Sequence, residues 1–333
     1  MEPRMIASSE PFSIRKFFFQ WEWLLVILLI AVNILNMMLS PNYMNPDNLL
    51  SAMMGFLDKA FIVLPMAFVI LLGDIDISVG STVALSSVIM AVAYNAGLPM
   101  PLAMLLALAV GTVCGFLNGL LLVRFKELSA VIVTLSTMII YRGIAYIILK
   151  DQAAGKFPSW FQFLGWGSVL GIPFILICFT VFAIAFGLLM HRTTFGRQAY
   201  AMGNNITASR FSGIRTDHIK VAIFSMAGLM SGVCALFLTS RMGSTRPNVA
   251  QNYELDVITM VVLGGVSSAG GKGRIPGTIL AIFLIGLLRN GLGLVNVPAQ
   301  VLMIIIGLLL ILAVMVPNLK GMTARFFRPG KAD

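Results

Sequence analysis

Two carboxylates stand one residue apart in Gly73-Asp74-Ile75-Asp76-Ile77-Ser78-Val79-Gly80-Ser81, a short turn between long apolar runs. Acidic side chains in such surroundings are costly unless they are wet or paired. An aspartate pair could hold a coupling ion, although the sequence offers no third ligand beside it. The plainer chemistry is capping: Asp and Ser accept hydrogen bonds from the first amides of a helix, and Gly80 permits tight packing. The functional alternative is a break in a helix pair that lines a translocation path, bordered by Gly73, Asp74, Asp76 and Ser78. Asn118 and Asn290 lie inside apolar stretches and join that candidate path as groups able to meet a hydroxylated solute.

A second stretch, Val261-Val262-Leu263-Gly264-Gly265 followed by Gly270-Gly271-Lys272-Gly273, superficially resembles a phosphate cradle. The spacing is wrong, because a nucleotide loop needs G-x-x-x-x-G-K followed by Ser or Thr. Tight turning and close helix packing explain these glycines better. No Ser-His, Ser-Lys or paired-His arrangement appears, so an intramembrane enzyme is disfavoured. Cys114, Cys178 and Cys234 all sit within apolar runs, as small core residues do. His191 and His218 form no metal spacing. Neither a cofactor nor a metal is expected.

The third feature is a basic interruption from His191 to Lys220, carrying Arg192, Arg197, Arg210, Arg215 and Lys220. Asn204 or Asn205 can cap a short helix running through Phe211 and ending at Gly213. Ala199, Ala201, Ala208 and Ser209 are small enough for a partner surface to approach, while Phe211 and Ile214 can anchor the segment. Such a helix would be a lever seated in a moving partner; the alternative is an amphipathic loop lying on anionic lipid.

These features must be carried by membrane-spanning helices. Hydrophobic residues make up 59% of the 333-residue chain and charged residues 11%, less than half of what a soluble domain carries. Apolar runs predict helices at Trp23–Leu39, Leu49–Leu72, Val79–Ala96, Pro101–Val123, Leu128–Leu149, Gly171–Met190, Ile219–Ser240, Leu255–Val266, Ile275–Leu292 and Ala299–Val316. Most approach the ~20 residues that cross a bilayer. The eighth is short and reads as a half-helix or as a span extended through Gly264 and Gly265. The first run is too long for the apolar part of a cleaved leader and no small-x-small site follows it, so it is expected to persist.

Charge sets the orientation. Of the 23 Lys and Arg, Lys59 and Arg142 lie within spans and Lys150, Lys156, Arg241, Arg246 and Arg289 fall outside. All the others fall on the other side, which predicts both termini in the cytoplasm and an even number of helices. This distribution also accounts for the net charge of +10 without nucleic acid. The expected organisation is therefore an all-α membrane protein of about ten spans. A cytoplasmic segment covers 1–22 and a membrane-spanning domain 23–316, with a cytoplasmic loop at 191–218; a cytoplasmic tail covers 317–333. Asp58 and Lys59 are neighbours and cannot face each other on a helix, so each should pair elsewhere in the bundle or snorkel. Arg142 should be an anchor held by a carboxylate or by backbone carbonyls. Gly111-Thr112 before Gly119-Leu120-Leu121, and Gly277-Thr278 before Gly286-Leu287-Leu288, suggest a five-plus-five repeat. An odd-numbered repeat would be inverted across the membrane.

The run Phe195-Gly196-Arg197, Tyr200 to Asn205, Ala208 and Arg210 to Ile214 resembles the coupling segment of carbohydrate-type ABC importer permeases, the ribose-like group. Gly73 to Gly80 resembles their acidic turn after the second helix. Glu254-Leu255 through Gly277-Thr278 resembles their C-terminal signature. Phe211 to Arg215, Thr239 to Pro247 and Thr259 to Val266 look most like rhamnose-import permeases, and autoinducer-2 permeases are also similar. Ser267-Ser268-Ala269 departs from the more hydrophobic turn of many members.

The resemblance implies a pathway subunit in a bacterial inner membrane, paired with a second permease subunit as a homodimer or heterodimer. Cytosolic ABC ATPase subunits would grip Gly196, Arg197, Ala199, Gly203, Asn204, Asn205, Ala208, Arg210, Phe211, Ser212 and Gly213. A periplasmic sugar-binding protein would deliver a rhamnose-like sugar or autoinducer-2 to the outer face, where Arg241 and Arg246 could steer its docking. The competing reading is an ion-coupled secondary transporter using Asp74 and Asp76.

Overall fold

The computed structural model describes residues 21–326. Arg4, Arg15, Lys16, Arg328 and Lys331, which contribute to the charge argument, lie outside the described residues. The described chain is almost wholly helical: α1 (Trp21–Leu39), α2 (Pro46–Leu71), α3 (Val79–Asn95), α4 (Met100–Arg124), α5 (Ala130–Leu149), the single turn α6 (Phe163–Trp166), α7 (Phe174–Arg192), α8 (Thr194–Asn204), α9 (Ile206–Phe211), α10 (Thr216–Met242), α11 (Tyr253–Leu263), α12 (Ile275–Leu294) and α13 (Ala299–Phe326). Every predicted span has its helix. Seven helices, α1, α2, α4, α5, α7, α10 and α12, are long and apolar enough to cross a membrane. α3 and residues 300–312 of α13 are shorter apolar helices, and α11 has 11 residues.

Three boundaries differ from expectation. α11 stops at Leu263, because Gly264 and Gly265 begin a turn in which Gly265 has φ +90°. α13 continues to Phe326, well past Val316. The stretch between α7 and α10 holds the short helix expected through Phe211, α9, and before it a helix that was not expected, α8. Thr193 starts α8 by accepting a hydrogen bond from the Gly196 amide on its side-chain oxygen, 3.2 Å.

α2 is the axis of the bundle. A helix apolar on every face must be surrounded by protein or lipid, and here α2 is surrounded by α7, α10, α11 and α12. From Phe56 to Leu71 it is buried throughout. Asn45 caps its start, accepting from the Asp47 amide at 3.0 Å. Phe61 of α2 stacks on Phe237 of α10, ring centroids 4.8 Å apart, and meets Phe179 and Phe182 of α7 edge-on. Large apolar side chains of α1, α5 and α13, among them Ile27, Met38, Ile139, Ile147, Ile304 and Ile311, face outward, as expected where hydrocarbon rather than water is the solvent.

α4 and α10 make the closest helix pair. A Cβ on Gly115 would strike the Phe224 carbonyl, and one on Gly228 would strike the Gly111 carbonyl. Without a hydrophobic drive between helices in lipid, this close approach of small residues supplies the attraction. Gly228→Ala should therefore force the backbones apart and destabilise the fold by about 1–3 kcal/mol. A lowered thermal midpoint in detergent would register it, and an unchanged midpoint would contradict the packing.

The packing is paired along the chain. α4 lies against α10 as α12 lies against α2; α3 lies against α4 as α11 lies against α12. Likewise α3 meets α5 and α10, while α11 meets α13 and α2. Gly119 sits on α10 and Gly286 on Phe56 of α2, in keeping with that pairing. Gly111 and Gly277 do not match: the first meets α10, the second the end of α11 at Gly264. α1 also departs from the pattern, packing on α12, where Asn36 donates to the Leu287 carbonyl at 2.9 Å.

Candidate functional site

One end of the bundle gathers the start of α1, the ends of α2 and α7, α8, α9 and the Gly264–Arg274 turn. Trp21 donates to the Leu263 carbonyl at 2.8 Å, and the Gly271 amide donates to the Leu71 carbonyl at 2.9 Å. α8 is seated here by its small and apolar residues. Gly196 lies on the Met190 carbonyl, Gly203 lies between Leu71 and Gly271, and Ala199 and Met202 are buried. Tyr200 donates to the Gly273 carbonyl at 2.6 Å. Burial raises its phenol above the ordinary value, so it stays a donor at neutral pH.

α9 projects from that seat. Asn205 caps it, accepting from the Ala208 amide at 2.9 Å, and Gly213 ends it with φ +82°, a conformation glycine adopts freely. Asn204 turns back to the Tyr200 carbonyl at 2.9 Å. Arg210 bonds Thr216 at 3.1 Å and Asp217 at 2.9 Å, pinning α9 to the start of α10. Phe211 is 89% exposed and Ile206 43%; Ala208, Ser212 and Gly213 are also exposed. Beside them a cavity of about 630 Å³ is lined by Leu122, Lys126, Ile206, Arg210, Phe211 and Lys220. Arg197 points elsewhere, into a basic hollow with His191, Lys272 and Arg274. Of the coupling residues expected from sequence, Gly196, Ala199 and Gly203 form the seat. Asn204, Asn205 and Arg210 shape the projection, and Ala208, Phe211, Ser212 and Gly213 form its surface.

The residues expected along the path separate into three places. Asp76 and Ser78 meet Asn118 in a buried knot. Asp76 Oδ1 accepts from the Ser78 amide (2.9 Å) and hydroxyl (2.7 Å); Asn118 donates to Ser78 Oγ (2.8 Å) and accepts from Tyr141 (3.1 Å). Asp74 leaves this knot and pairs with Lys220 of α10 at 2.7 Å, while Gly73 packs beside Ala269. Asn290 is on α12, its amide nitrogen buried without a partner among the described residues.

A charged network that the sequence only hinted at ties α2 to α10, α11 and α12. Lys59 and Asp256 pair at 2.6 Å, with side chains 6% exposed. Arg289 bonds the other oxygen of Asp256. Arg241 pairs with Asp58 at 2.7 Å, and Tyr253 donates to the same carboxylate at 3.2 Å. The neighbours Asp58 and Lys59 thus each find a distant partner. Arg241, expected at the docking surface, is engaged with Asp58 and 22% exposed at its side chain. Arg246 is exposed and lines a hollow of about 610 Å³ with Asn248 and Gln251. Arg142 donates to the Pro247 and Val249 carbonyls, both at 2.6 Å. Asp256 had no sequence signal beyond an acidic residue at the start of a short apolar helix.

A mostly buried helical core, apolar outer faces and ion pairs sealed inside define a multi-pass membrane protein. Residues 48–314 match the family of permease components described as the branched-chain amino acid transport system, and the chain belongs to that family of transport permeases, not enzymes. It is similar to the ribose import permease protein RbsC of Bacillus subtilis (strain 168), 39% identical over 299 residues, covering 89% of this chain and 91% of that one. The Haemophilus influenzae protein of the same name is 37% identical over 302 residues, 89% and 92% of the two chains. The autoinducer 2 import system permease protein LsrD of Escherichia coli (strain K12) is 34% identical over 300 residues, 88% and 91%. No solved structure matches the chain.

Proposed function

We propose that this chain is the permease subunit of an ATP-driven ABC importer in a bacterial inner membrane, carrying a rhamnose-like sugar or a related small polyol such as autoinducer-2. The observation that carries the reading is Phe211: a large aromatic side chain almost fully exposed on α9, a capped helix that projects from the seated α8. An exposed anchor on a rigid support is what a partner pocket takes. Cytosolic ATPase subunits are that partner, and they move α9 together with α8, which is seated on the end of α2. A periplasmic binding protein delivers solute at the opposite end, steered by Arg246. A second permease subunit completes the path. The paired packing of α2–α5 and α10–α13 supports the inverted five-plus-five repeat and ten crossings. The secondary-transport alternative draws less support, since Asp74 is neutralised by Lys220 and Asp76 is consumed as a cap.

Reconstitution with the ATPase and binding-protein subunits should give sugar uptake into proteoliposomes that requires ATP and ignores proton and sodium gradients. Uptake by this chain alone, driven by either gradient, would refute the reading.

A further inference from the structure

A hollow unrelated to the expected path residues opens between α3, α5 and the start of α11. Its volume is about 600 Å³, and its polar lining includes Ser81, Arg142, Gln251, Asn252 and Glu254. Ser81 is in the first turn of α3 and Arg142 past the middle of α5, so the hollow lies at depth in the bundle. Charged groups at that depth face a wet cavity or another protein surface, not lipid.

Two polar atoms here lack partners. Among the described residues, the hydroxyl of Ser81, a residue 1% exposed, has no bonding partner, and neither has the buried Glu254 Oε2. A buried group without a partner is costly, and the local backbone is arranged to keep both in place. Gly80 lets the Glu254 carboxylate and the Ala250 carbonyl press onto α3, where any Cβ would collide with both. Arg142 is held from behind by two carbonyls of the 243–252 strap.

We propose that this hollow is a solute-binding site of the pathway and that its ligand is a neutral polyhydroxylated molecule, recognised through adjacent hydroxyls by Glu254 and Ser81. The charges select this class. Arg142 and Glu254, one basic and one acidic side chain, both line the hollow, so it favours neither a cation nor an anion. A carboxylate, a guanidinium, two amides and a hydroxyl match groups that both donate and accept. Met138 supplies an apolar wall for the C–H face of a ring. The volume lies within the range of small-molecule sites. The inference rests on the importer reading and names where its solute pauses.

The test compares Ser81→Ala and Glu254→Gln with wild type in the complete reconstituted importer, using D-ribose and L-rhamnose as probes. Losing one solute hydrogen bond should lower uptake about 10-fold or more. ATP hydrolysis stimulated by loaded binding protein should fall less than uptake does, because neither residue touches α8 or α9. Ser81→Ala removes an unsatisfied hydroxyl, so its thermal midpoint should not fall. Unchanged uptake in both variants overturns the proposal. So does a loss of ATP hydrolysis parallel to uptake in Glu254→Gln, which would make that carboxylate a strut. In the isolated permease in nanodiscs, either sugar should slow amide exchange at 250–254 in wild type but not in Glu254→Gln. That protection without ATP-driven uptake would keep the site and sink the importer reading; absence of protection by both sugars, with ATP-driven uptake intact, would do the reverse.

Discussion

Replacing Phe211 by alanine is expected to abolish most ATP-driven uptake while leaving the permease inserted and stable. The side chain is 89% exposed, so the isolated subunit loses almost no packing when it is truncated. In the assembled importer the same ring would fill a pocket of the ATPase subunit. A buried aromatic anchor at an interface contributes about 2–4 kcal/mol, which is roughly 30- to 1,000-fold in affinity. ATP hydrolysis coupled to sugar should fall by a similar factor, and co-purification of the ATPase subunits should weaken in step. Alanine in place of Tyr200 would act differently: it unseats α8 from the Gly273 carbonyl and should lower the thermal midpoint too. Full uptake by the Phe211 variant would remove the lever from the mechanism.

Asp256→Ala should be among the most damaging changes inside the bundle. It strips the shared carboxylate from Lys59 and Arg289 at once, leaving a nearly inaccessible ammonium without its counter-ion. Breaking a buried pair from one side costs about 3–5 kcal/mol. Lys59→Met should cost less, because Asp256 keeps Arg289. The prediction is therefore an order: thermal midpoint and membrane accumulation should fall far more for Asp256→Ala than for Lys59→Met. Equal losses, or a stable Asp256→Ala protein, would show that the network contributes little.

Sequence and structure agree where the signal is local. Apolar runs located all seven helices long and apolar enough to cross a membrane, because hydrocarbon solvent leaves few alternatives to a helix. Asn205 and Gly213 announced α9, since a capping amide and a left-handed stop are short-range requirements. Arg142 was legible as an anchor because a lone guanidinium at depth must be held. α8 was hidden: glycine disfavours a helix interior, whereas the fold uses Gly196 and Gly203 as contact points against Met190 and Leu71. The partners of Asp58 and Lys59 were also hidden, being 183 and 197 residues away. Asp74 and Asp76 looked like one unit but face different elements, since a one-residue step in a non-helical turn redirects a side chain. Ser81 gave no hint at all, because a serine inside an apolar helix ordinarily bonds its own backbone.

The shortness of α11 has a further consequence. Eleven residues rise about 16 Å, against a hydrocarbon thickness of about 30 Å. The 243–252 strap, not a helix, leads into it and carries Gln251 and Asn252. Segments of this kind accept substitution more readily than packed helices do. A lineage could thus retune its diet by drifting through a handful of strap codons while the glycine-packed scaffold stayed fixed. Swapping that decapeptide between relatives should transfer nutrient preference without rebuilding the rest.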